Sequence, residues 1–273
     1  LSCSPNITIN TDVWKCTGTA LLPSPTILQE CSYVDSIYVG YKVVTTANDT
    51  LTYDGTNSNN IVKLKNGLYS ISELPLGLNW VVFRVWDACG NYTECATEVY
   101  VEDKVPPVAV CDQKTTVTLT LDGTAKVAAI TFDDGSHDNC GISRYEARRM
   151  DNGKPCNTPD GDEFNPYVFF CCDDIGKTLV VSMRVWDIHG NSNTCMVEIE
   201  VQDKLAPYII CPPHITVSCE FDYTDLSVFG TVRDDAADRE PIVISDKFLN
   251  ASGPLIDGYA YDGCGVDIDE SVF

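Results

Sequence analysis

The sequence has few basic residues, few histidines and no long apolar run, and each shortage excludes a class of protein. The 273 residues include only 18 Lys and Arg but 40 Asp and Glu, which gives a formal net charge of −22. A chain this acidic repels phosphates, which argues against nucleic-acid binding and against a polybasic membrane anchor. No run of 18 apolar residues occurs, so no segment is predicted to insert into a membrane.

Catalytic motifs are missing as well. No G-x-S-x-G, H-E-x-x-H or phosphate-loop glycine pattern occurs, and His137, His189 and His214 share no motif. We therefore predict that the chain is not an enzyme. No C-x-x-C pair occurs either, which disfavours a zinc ribbon or a thioredoxin-like site.

Cysteine, by contrast, is abundant. The chain has 14 cysteines, and without a zinc-type spacing these indicate disulfides formed in an oxidising compartment. The sequence begins at Leu1 with no visible signal peptide, so we expect a mature secreted protein or a fragment of one. The predicted location is extracellular, at a cell surface.

An internal repeat organises the chain. Residues 84–111 and 184–211 are identical at about half of their positions, without a gap. Each copy has two strand-like runs around a D-x-x-G-N turn, followed by D-K-x-x-P and a cysteine. The repeat predicts three modules, which we call repeats one, two and three: 1–102, 103–202 and 203–273. The third is incomplete, because it stops before its own copy of these strands.

The hydrophobic pattern is that of β-structure. Apolar residues alternate with other residues along 178–187, and Val197, Ile199 and Val201 alternate with polar neighbours. This period of two is typical of a strand with one buried face. Asp-Gly and Asn-Gly turns are frequent, and no long helical pattern occurs. We predict an all-β fold of tandem Ig-like β-sandwich modules, rich in disulfides, with the third module incomplete.

The order of motifs also suggests a family. The series C-P…D-N-C-G…V-x-D-x-x-G-N-x-x-x-C…V-x-D-x-x-x-P resembles the hyalin-repeat (HYR) type of Ig-like module, especially its tandem copies in very large surface proteins of Bacteroidetes. The resemblance covers nearly the whole chain. Repeat two matches best, whereas repeat one has Glu30-Cys31-Ser32 in place of D-N-C-G. The resemblance implies extracellular adhesion, spacing or filament building rather than catalysis.

Acidic residues cluster in loops that an Ig-like module places at the end facing the preceding module. At the first junction the candidate ligands are Asp103 in the linker, Asp133, Asp134 and Asp138 in the B–C loop, and Asp187 and Asn191 in the F–G loop. At the second junction they are Asp203, Asp234, Asp235 and Asp238. Neighbouring carboxylates repel one another unless a cation separates them. Ca²⁺ suits such loops better than Mg²⁺, so we predict calcium at both junctions; the alternative is that these residues are merely solvated.

The disulfides can be partly predicted. Adjacent B–C and F–G loops predict Cys31–Cys95 and Cys140–Cys195, and short hairpin-like segments predict Cys3–Cys16 and Cys211–Cys219. In repeat two, the remaining Cys111, Cys156, Cys171 and Cys172 are expected to pair among themselves, with the connectivity open. Cys89 and Cys264 are left over and are available for intermolecular pairing.

Sequons suggest glycosylation. Asn6, Asn48 and Asn250 are candidate N-linked sites, and a fourth sequon, at Asn91, lies in the G-N turn, where a glycan would conflict with the turn. The resemblance to Bacteroidetes surface proteins implies an alternative, O-linked sugar at Ser36 and Thr50.

These features together predict an extracellular structural protein, a calcium-stiffened and disulfide-stapled subunit of a surface filament, fibril or stalk. The exposed edges of a half-built third module predict end-to-end self-association, with strand addition as one possible mode. One alternative is a cell-surface adhesin that binds carbohydrate or another cell surface. Another is an accessory module of a larger enzyme.

Overall fold

A computed structural model describes residues 1–28, 33–43, 60–151, 163–210, 219–220, 232–234 and 258–265. The chain divides into two compact units that do not follow the boundaries of the repeats. The first unit holds 1–110 together with two loops of repeat two, 135–144 and 185–194. The second unit holds 111–134, 145–184 and 195–273.

The described residues of repeat one form a two-sheet sandwich of seven strands. They are β1 (Ile7–Asn10), β2 (Thr17–Pro23), β3 (Val34–Val43), β4 (Ile61–Lys63), β5 (Leu68–Pro75), β6 (Gly77–Asp87) and β7 (Tyr92–Glu102). One sheet has the order β1-β7-β6-β3 and the other the order β2-β5-β4. The second sheet corresponds to strands B, E and D of an Ig-like sandwich, and β3, β6 and β7 correspond to C, F and G.

The core of repeat one lies between these two sheets. Its fully buried side chains come from alternate positions of the strands, because successive residues of a strand face opposite sides of the sheet. Phe83 packs edge-on against Tyr69, with ring centroids 5.4 Å apart. Other members of the cluster are Ala20, Leu22, Ile71, Leu74, Val81, Val99 and Val101.

The larger sheet of repeat two has the same strand order as the larger sheet of repeat one. The strands of repeat two are β8 (Lys114–Thr118), β9 (Thr124–Ala128), β10 (Ile142–Arg149), β11 (Tyr167–Cys171), β12 (Thr178–Asp187) and β13 (Ser192–Gln202). They form one sheet of order β10-β12-β13-β8 and a β11-β9 pair. The alternation predicted for 178–187 is confirmed, because Leu179, Val181, Met183 and Val185 are all buried.

Short 3₁₀ turns follow β9 and β11, over Ala129–Phe132 and Cys172–Asp174. A small sheet of order β14-β16-β15 comes from the third repeat, with β14 (Tyr208–Ile210), β15 (Val232–Asp234) and β16 (Gly258–Tyr261). Within the described ranges there is no α-helix, and none long and apolar enough to cross a membrane. The predicted all-β, Ig-like fold is confirmed.

The disulfides correct four predicted pairs. Cys95 bonds to Cys3 rather than to Cys31, and Cys195 bonds to Cys111 rather than to Cys140. The physical reason is the parallel pairing of the first strand of each repeat with the last. The registers Ile7↔Val99 and Lys114↔Glu198, extended toward the N-termini of the strands, bring each pair of cysteines side by side.

The other predicted pairs are also wrong. Cys16 bonds to Cys140, so Cys3–Cys16 does not form. Cys172 bonds to Cys264, so Cys264 is not left over, and the four remaining cysteines of repeat two do not pair only among themselves. Cys219 is a free, exposed thiol, which excludes Cys211–Cys219. Cys89 is free and exposed, as expected, and Cys171 is disulfide-bonded. Cys31, Cys156 and Cys211 lie outside the described residues.

Replacing both Cys111 and Cys195 with serine is expected to lower the free energy of unfolding by about 2–5 kcal/mol, because the bond restricts the unfolded chain over 84 residues. Urea denaturation without reductant measures the loss. The matched control is Cys89→Ser, which removes an exposed free thiol and should leave the transition unchanged. Equal stability of the double variant and the parent chain would contradict the pairing.

Candidate functional site

Three segments bring acidic side chains together in the first unit: the linker after β7, the turn before β10 and the turn between β12 and β13. Asp103, Asp138 and Asp187 come from these segments in that order. Each offers a carboxylate oxygen, and these atoms lie within 4.8 Å of one another. Asp103 is 8% exposed and Asp187 only 1%, so two of the three charges are withdrawn from water. We call these three residues the carboxylate cluster.

The D-x-x-G-N turn explains the position of Asp187. Its Oδ1 accepts hydrogen bonds from the backbone N–H groups of His189 and Asn191, each at 2.8 Å. The Asn191 amide donates to its Oδ2 at 2.7 Å. Gly190 has a φ of 91°, a conformation that glycine adopts without strain. The motif therefore fixes one carboxylate through local contacts alone.

The linker contributes Asp103, which is bound on both oxygens. Oδ1 accepts the hydroxyl of Thr11 at 2.8 Å and the N–H of Val105 at 3.1 Å. Oδ2 lies 2.9 Å from Nδ1 of His189. Lys104 follows Asp103 in sequence but does not neutralise it, because its ammonium group pairs with Glu102.

Asp138 is only half satisfied. Its Oδ2 accepts the N–H groups of Cys140 and Gly141, at 2.7 and 2.9 Å, whereas Oδ1 is buried without a hydrogen-bond partner. The next residue, Asn139, also has a buried Oδ1 that lacks a partner. A buried acceptor without a partner costs about 1–3 kcal/mol, more when it is charged. Each of these two oxygens has lone pairs that a hydrogen-bond donor or a cation can occupy.

The charges in the cluster are unbalanced. At an effective dielectric constant of about 20, two carboxylates whose oxygens lie within 4.8 Å of each other repel by roughly 3 kcal/mol. His189 is the one basic side chain whose contact with the cluster is described. Oxygen atoms from carboxylates and amides are ligands for a hard cation. The sulfur of Cys140 lies near Asp103 and His189, but it is bonded to Cys16 and is not a thiolate ligand.

Other predicted ligands of the first junction lie elsewhere. Asp133 accepts a hydrogen bond from the hydroxyl of Tyr145 at 3.4 Å, in the second unit. Burial and this carboxylate together raise the pKa of Tyr145. Asp134 is exposed. The structure brings neither residue into the cluster, and Asn191 supports the cluster by donating from its amide nitrogen.

At the second junction the structure places Asp262, which was not among the predicted ligands, beside the linker. Oxygen atoms of Asp203 and Asp262 lie within 4.8 Å of each other and of the Cys264 sulfur. Oδ1 of Asp203 accepts the N–H of Leu205 at 3.0 Å, as Asp103 does with Val105. The backbone of Asp234 belongs to β15, and Asp235 and Asp238 lie outside the described residues.

Sequence reasoning missed Asp262 and Asn139, although a signal for both was present. Residues 138–141 read D-N-C-G and residues 262–265 read D-G-C-G. In both, the Asp side chain accepts the N–H of the cysteine two residues later, at 2.7 and 2.9 Å. The shared motif therefore indicates the acidic residue that turns toward the linker at each junction.

The turn between β6 and β7 has the same hydrogen bonds as the turn at Asp187 but lies outside the carboxylate cluster. Oδ1 of Asp87 accepts the N–H groups of Cys89 and Asn91, each at 2.9 Å. The Asn91 side chain, and then its backbone N–H, holds the pKa of Asp87 below its ordinary value. In the described part of the chain no acidic group forms a cluster with Asp87. This turn is a natural control for the turn at Asp187.

Two predicted glycosylation sites are described. The Asn6 amide donates to Glu98 at 2.7 Å, and its oxygen accepts the Glu98 N–H at 3.2 Å. The Ser36 hydroxyl donates to Asp35 at 3.3 Å. Both sites stay predictions, and Asn48, Thr50 and Asn250 lie outside the described residues.

Comparison with known proteins gives structural matches only. No protein-family model and no curated protein matches the sequence. The two Ig domains of DIP-gamma align at 11% identity over 74% of this chain and 95% of theirs, with a TM-score of 0.34. The four N-terminal Ig domains of Dscam1 align at 14% identity over 72% of this chain and 43% of theirs, with a TM-score of 0.35. Fibronectin(III)-like modules of Clostridium thermocellum CbhA align at 15% identity over 73% and 90%, with a TM-score of 0.25. Matches this distant carry no conclusion about function.

Proposed function

We propose that this chain is a structural segment of an extracellular filament, fibril or stalk, built from Ig-like modules of the hyalin-repeat type and braced by calcium. The observation that carries the proposal is the carboxylate cluster of Asp103, Asp138 and Asp187. Within it, Oδ1 of Asp138 is buried without a hydrogen-bond partner. The chain acts mechanically, and we assign it no catalytic role.

Calcium fits the cluster chemically. Ca²⁺ takes six to eight oxygen ligands in flexible geometry, whereas Mg²⁺ needs a near-ideal octahedron and gives up its water reluctantly. The cluster supplies three carboxylates from three separate segments, and loops of this kind suit the more tolerant ion. Water molecules complete the coordination in this proposal.

The mechanical effect follows from where the ligands come from. Asp103 belongs to the linker, whereas Asp138 and Asp187 belong to loops of repeat two. Without a cation the three charges push linker and loops apart, and with one they are held together. Calcium therefore converts a repelling joint into a fixed one, and the Cys16–Cys140 bond adds a covalent tie at the same place.

Disulfides of this density are typical of extracellular proteins, and the proposed location is a cell surface.

We propose that copies of the chain associate end to end, with strand addition as one possible mode of contact. Regular polymers in negative-stain micrographs of calcium-loaded protein, lost with chelator, support this assembly. Monomers alone under both conditions would contradict it.

One observation favours the second candidate, an adhesin. Tyr38, Trp80 and Tyr100 lie on strands β3, β6 and β7 at positions that face away from the core, and they are 42%, 37% and 49% exposed. Exposed aromatic rings on a sheet face suit contacts with sugars or with another protein. Binding to a glycan array, without polymers, would favour this candidate over the first.

Calorimetric titration of chelator-treated protein with CaCl₂ tests the calcium site. We expect binding with a Kd of about 0.1–1 mM, the range of extracellular calcium modules. Asp138→Asn keeps an oxygen for the N–H groups of Cys140 and Gly141 but removes the charge, and it should weaken binding at least about tenfold. Asp134→Asn is the matched control and should bind as the parent does. Absence of binding at about 10 mM Ca²⁺ contradicts the proposal.

A further inference from the structure

We propose that the Cys16–Cys140 disulfide and the calcium site are coupled, so that reduction of this bond weakens calcium binding and bound calcium protects the bond. This inference rests on the proposed calcium site and adds its regulation. The argument depends on how one turn of repeat two, residues 138–141, is attached to one loop of repeat one, residues 11–16. Both segments lie in the first unit.

The turn is attached to the loop in two ways. The first is covalent, through Cys140 and Cys16. The second is the side-chain amide of Asn139, which lies within hydrogen-bond distance of three acceptors: the Thr11 hydroxyl at 3.0 Å, the Asp12 carbonyl at 3.1 Å and the Lys15 carbonyl at 3.2 Å. One –NH₂ group has two hydrogens, so these contacts share them. The amide contacts are not covalent, so the disulfide is the covalent attachment of the turn to the loop.

The same loop holds the linker ligand. The Thr11 hydroxyl that contacts Asn139 donates to Oδ1 of Asp103 at 2.8 Å, and Thr11 is 6% exposed. Asp103 and Asp138 are therefore both positioned relative to the 11–16 loop, the first through Thr11 and the second through Cys140. A cation between them closes a ring of contacts that already includes the disulfide. Breaking the disulfide opens this ring at the side of Asp138.

Opening the ring of contacts should lower the affinity for calcium. With the bond intact, Asp138 is held near Asp103, so the cation meets a preorganised set of ligands. With the bond reduced, carboxylate repulsion moves the turn away, and calcium must first draw it back. The disulfide thus raises calcium affinity, and by thermodynamic reciprocity calcium stabilises the disulfide by the same factor. We expect a factor of about ten, within the usual range for such coupling.

The redox step needs an external dithiol or glutathione. Two electrons and two protons pass from the reductant to Cys16 and Cys140, which become two thiols, while the reductant forms its own disulfide. Neither cysteine is fully buried. Val13 and Trp14, in the 11–16 loop next to Cys16, are 63% and 80% exposed, so solvent reaches this side of the disulfide.

The first experiment compares calcium affinity by calorimetry. The double variant Cys16→Ser/Cys140→Ser should bind Ca²⁺ about tenfold more weakly than the parent chain. The matched control is Cys3→Ser/Cys95→Ser, which removes the disulfide that follows the β1–β7 register and does not touch the cluster. Its affinity should stay within about twofold of the parent. Equal affinity of the Cys16/Cys140 variant and the parent overturns the inference and leaves the calcium site itself intact.

The second experiment uses the unmodified chain, so it does not depend on a variant that folds. The protein is equilibrated in mixtures of reduced and oxidised dithiothreitol, with Ca²⁺ or with chelator, and thiols are trapped and located by mass spectrometry. Calcium should shift the equilibrium for Cys16–Cys140 about tenfold toward the disulfide and leave Cys3–Cys95 unmoved. An unshifted Cys16–Cys140 equilibrium overturns the coupling. A parent chain that binds no calcium overturns the proposed function and this inference together.

Discussion

Replacement of Asp187 by alanine will lower calcium affinity about 100-fold or more, the largest effect expected of any single change in the carboxylate cluster. Asp187 is 1% exposed and contributes one of the three clustered carboxylates. It also organises its turn, because it accepts the N–H groups of His189 and Asn191. The substitution removes a ligand and loosens the segment that holds Asn191 against the linker. Calorimetric titration with CaCl₂ measures the loss.

The control for this variant is built into the chain. Asp87→Ala breaks the same hydrogen bonds in the same D-x-x-G-N turn of repeat one, but Asp87 belongs to no described cluster. It should disturb its turn and leave calcium affinity within about twofold. For the parent and Asp87→Ala, calcium at about 100 times the Kd should add about 2.7 kcal/mol of stability, and for Asp187→Ala almost none. Equal calcium responses in the two variants would show that Asp187 acts only as a turn residue.

Replacement of Arg149 by methionine will lower the free energy of unfolding of repeat two by about 3–5 kcal/mol. The Arg149 guanidinium donates through Nη1 and Nη2 to the two oxygens of Asp174, each at 2.7 Å, and the Arg149 and Asp174 side chains are 4% and 1% exposed. Nη1 also donates to the Phe169 carbonyl at 3.1 Å. Methionine keeps the length of the stem and leaves Asp174 as an uncompensated buried charge.

Burial by itself lowers the pKa of Arg149, but the hydrogen bonds and charges of Asp174 and then Asp151 together outweigh it, so the pKa is raised. Arg149 therefore stays charged at every pH at which the protein is folded, and the loss should be independent of pH between about 6 and 9. Urea denaturation monitored by tryptophan fluorescence measures it. The control is Lys114→Met, which removes an exposed pair with Glu200 and should leave stability nearly unchanged. A loss no larger than that of the control would contradict the assigned role of Arg149.

The turns at the junctions were predictable because their chemistry is local. An Asp accepts the N–H groups two and four residues later, a Gly adopts positive φ, and an Asn returns its amide to the Asp, so D-x-x-G-N encodes its own shape. The repeat then indicated which turns are equivalent. Asp187 and Asn191 were predicted from this turn, whereas Asp103 and Asp138 were predicted from acidic residues in the linker and the B–C loop. The structure brings these four residues together. Their role as calcium ligands stays a prediction.

The other acidic candidates could not be assigned from local sequence. Asp133 and Asp134 are the same residue type as Asp138 and lie in the same loop sequence. They directly follow the 3₁₀ turn of Ala129–Phe132, and the structure does not bring them into the cluster. At the second junction, Asp262 and not a residue of the 234–238 group is described beside Asp203. At the first junction composition selected a loop, whereas the path of the backbone selected the residue.

By itself, the sequence determined an all-β chain of Ig-like repeats, their period, the residue types at each turn and the excess of negative charge. These features depend on neighbours along the chain, through alternation, turn chemistry and repetition. Only the tertiary structure decided which cysteines pair and which carboxylates meet. Cys3 reaches Cys95, and Cys111 reaches Cys195, because the first and last strands of a repeat lie parallel across about 90 residues. No local pattern encodes contacts at that separation, since they arise from packing of whole sheets rather than from any single segment.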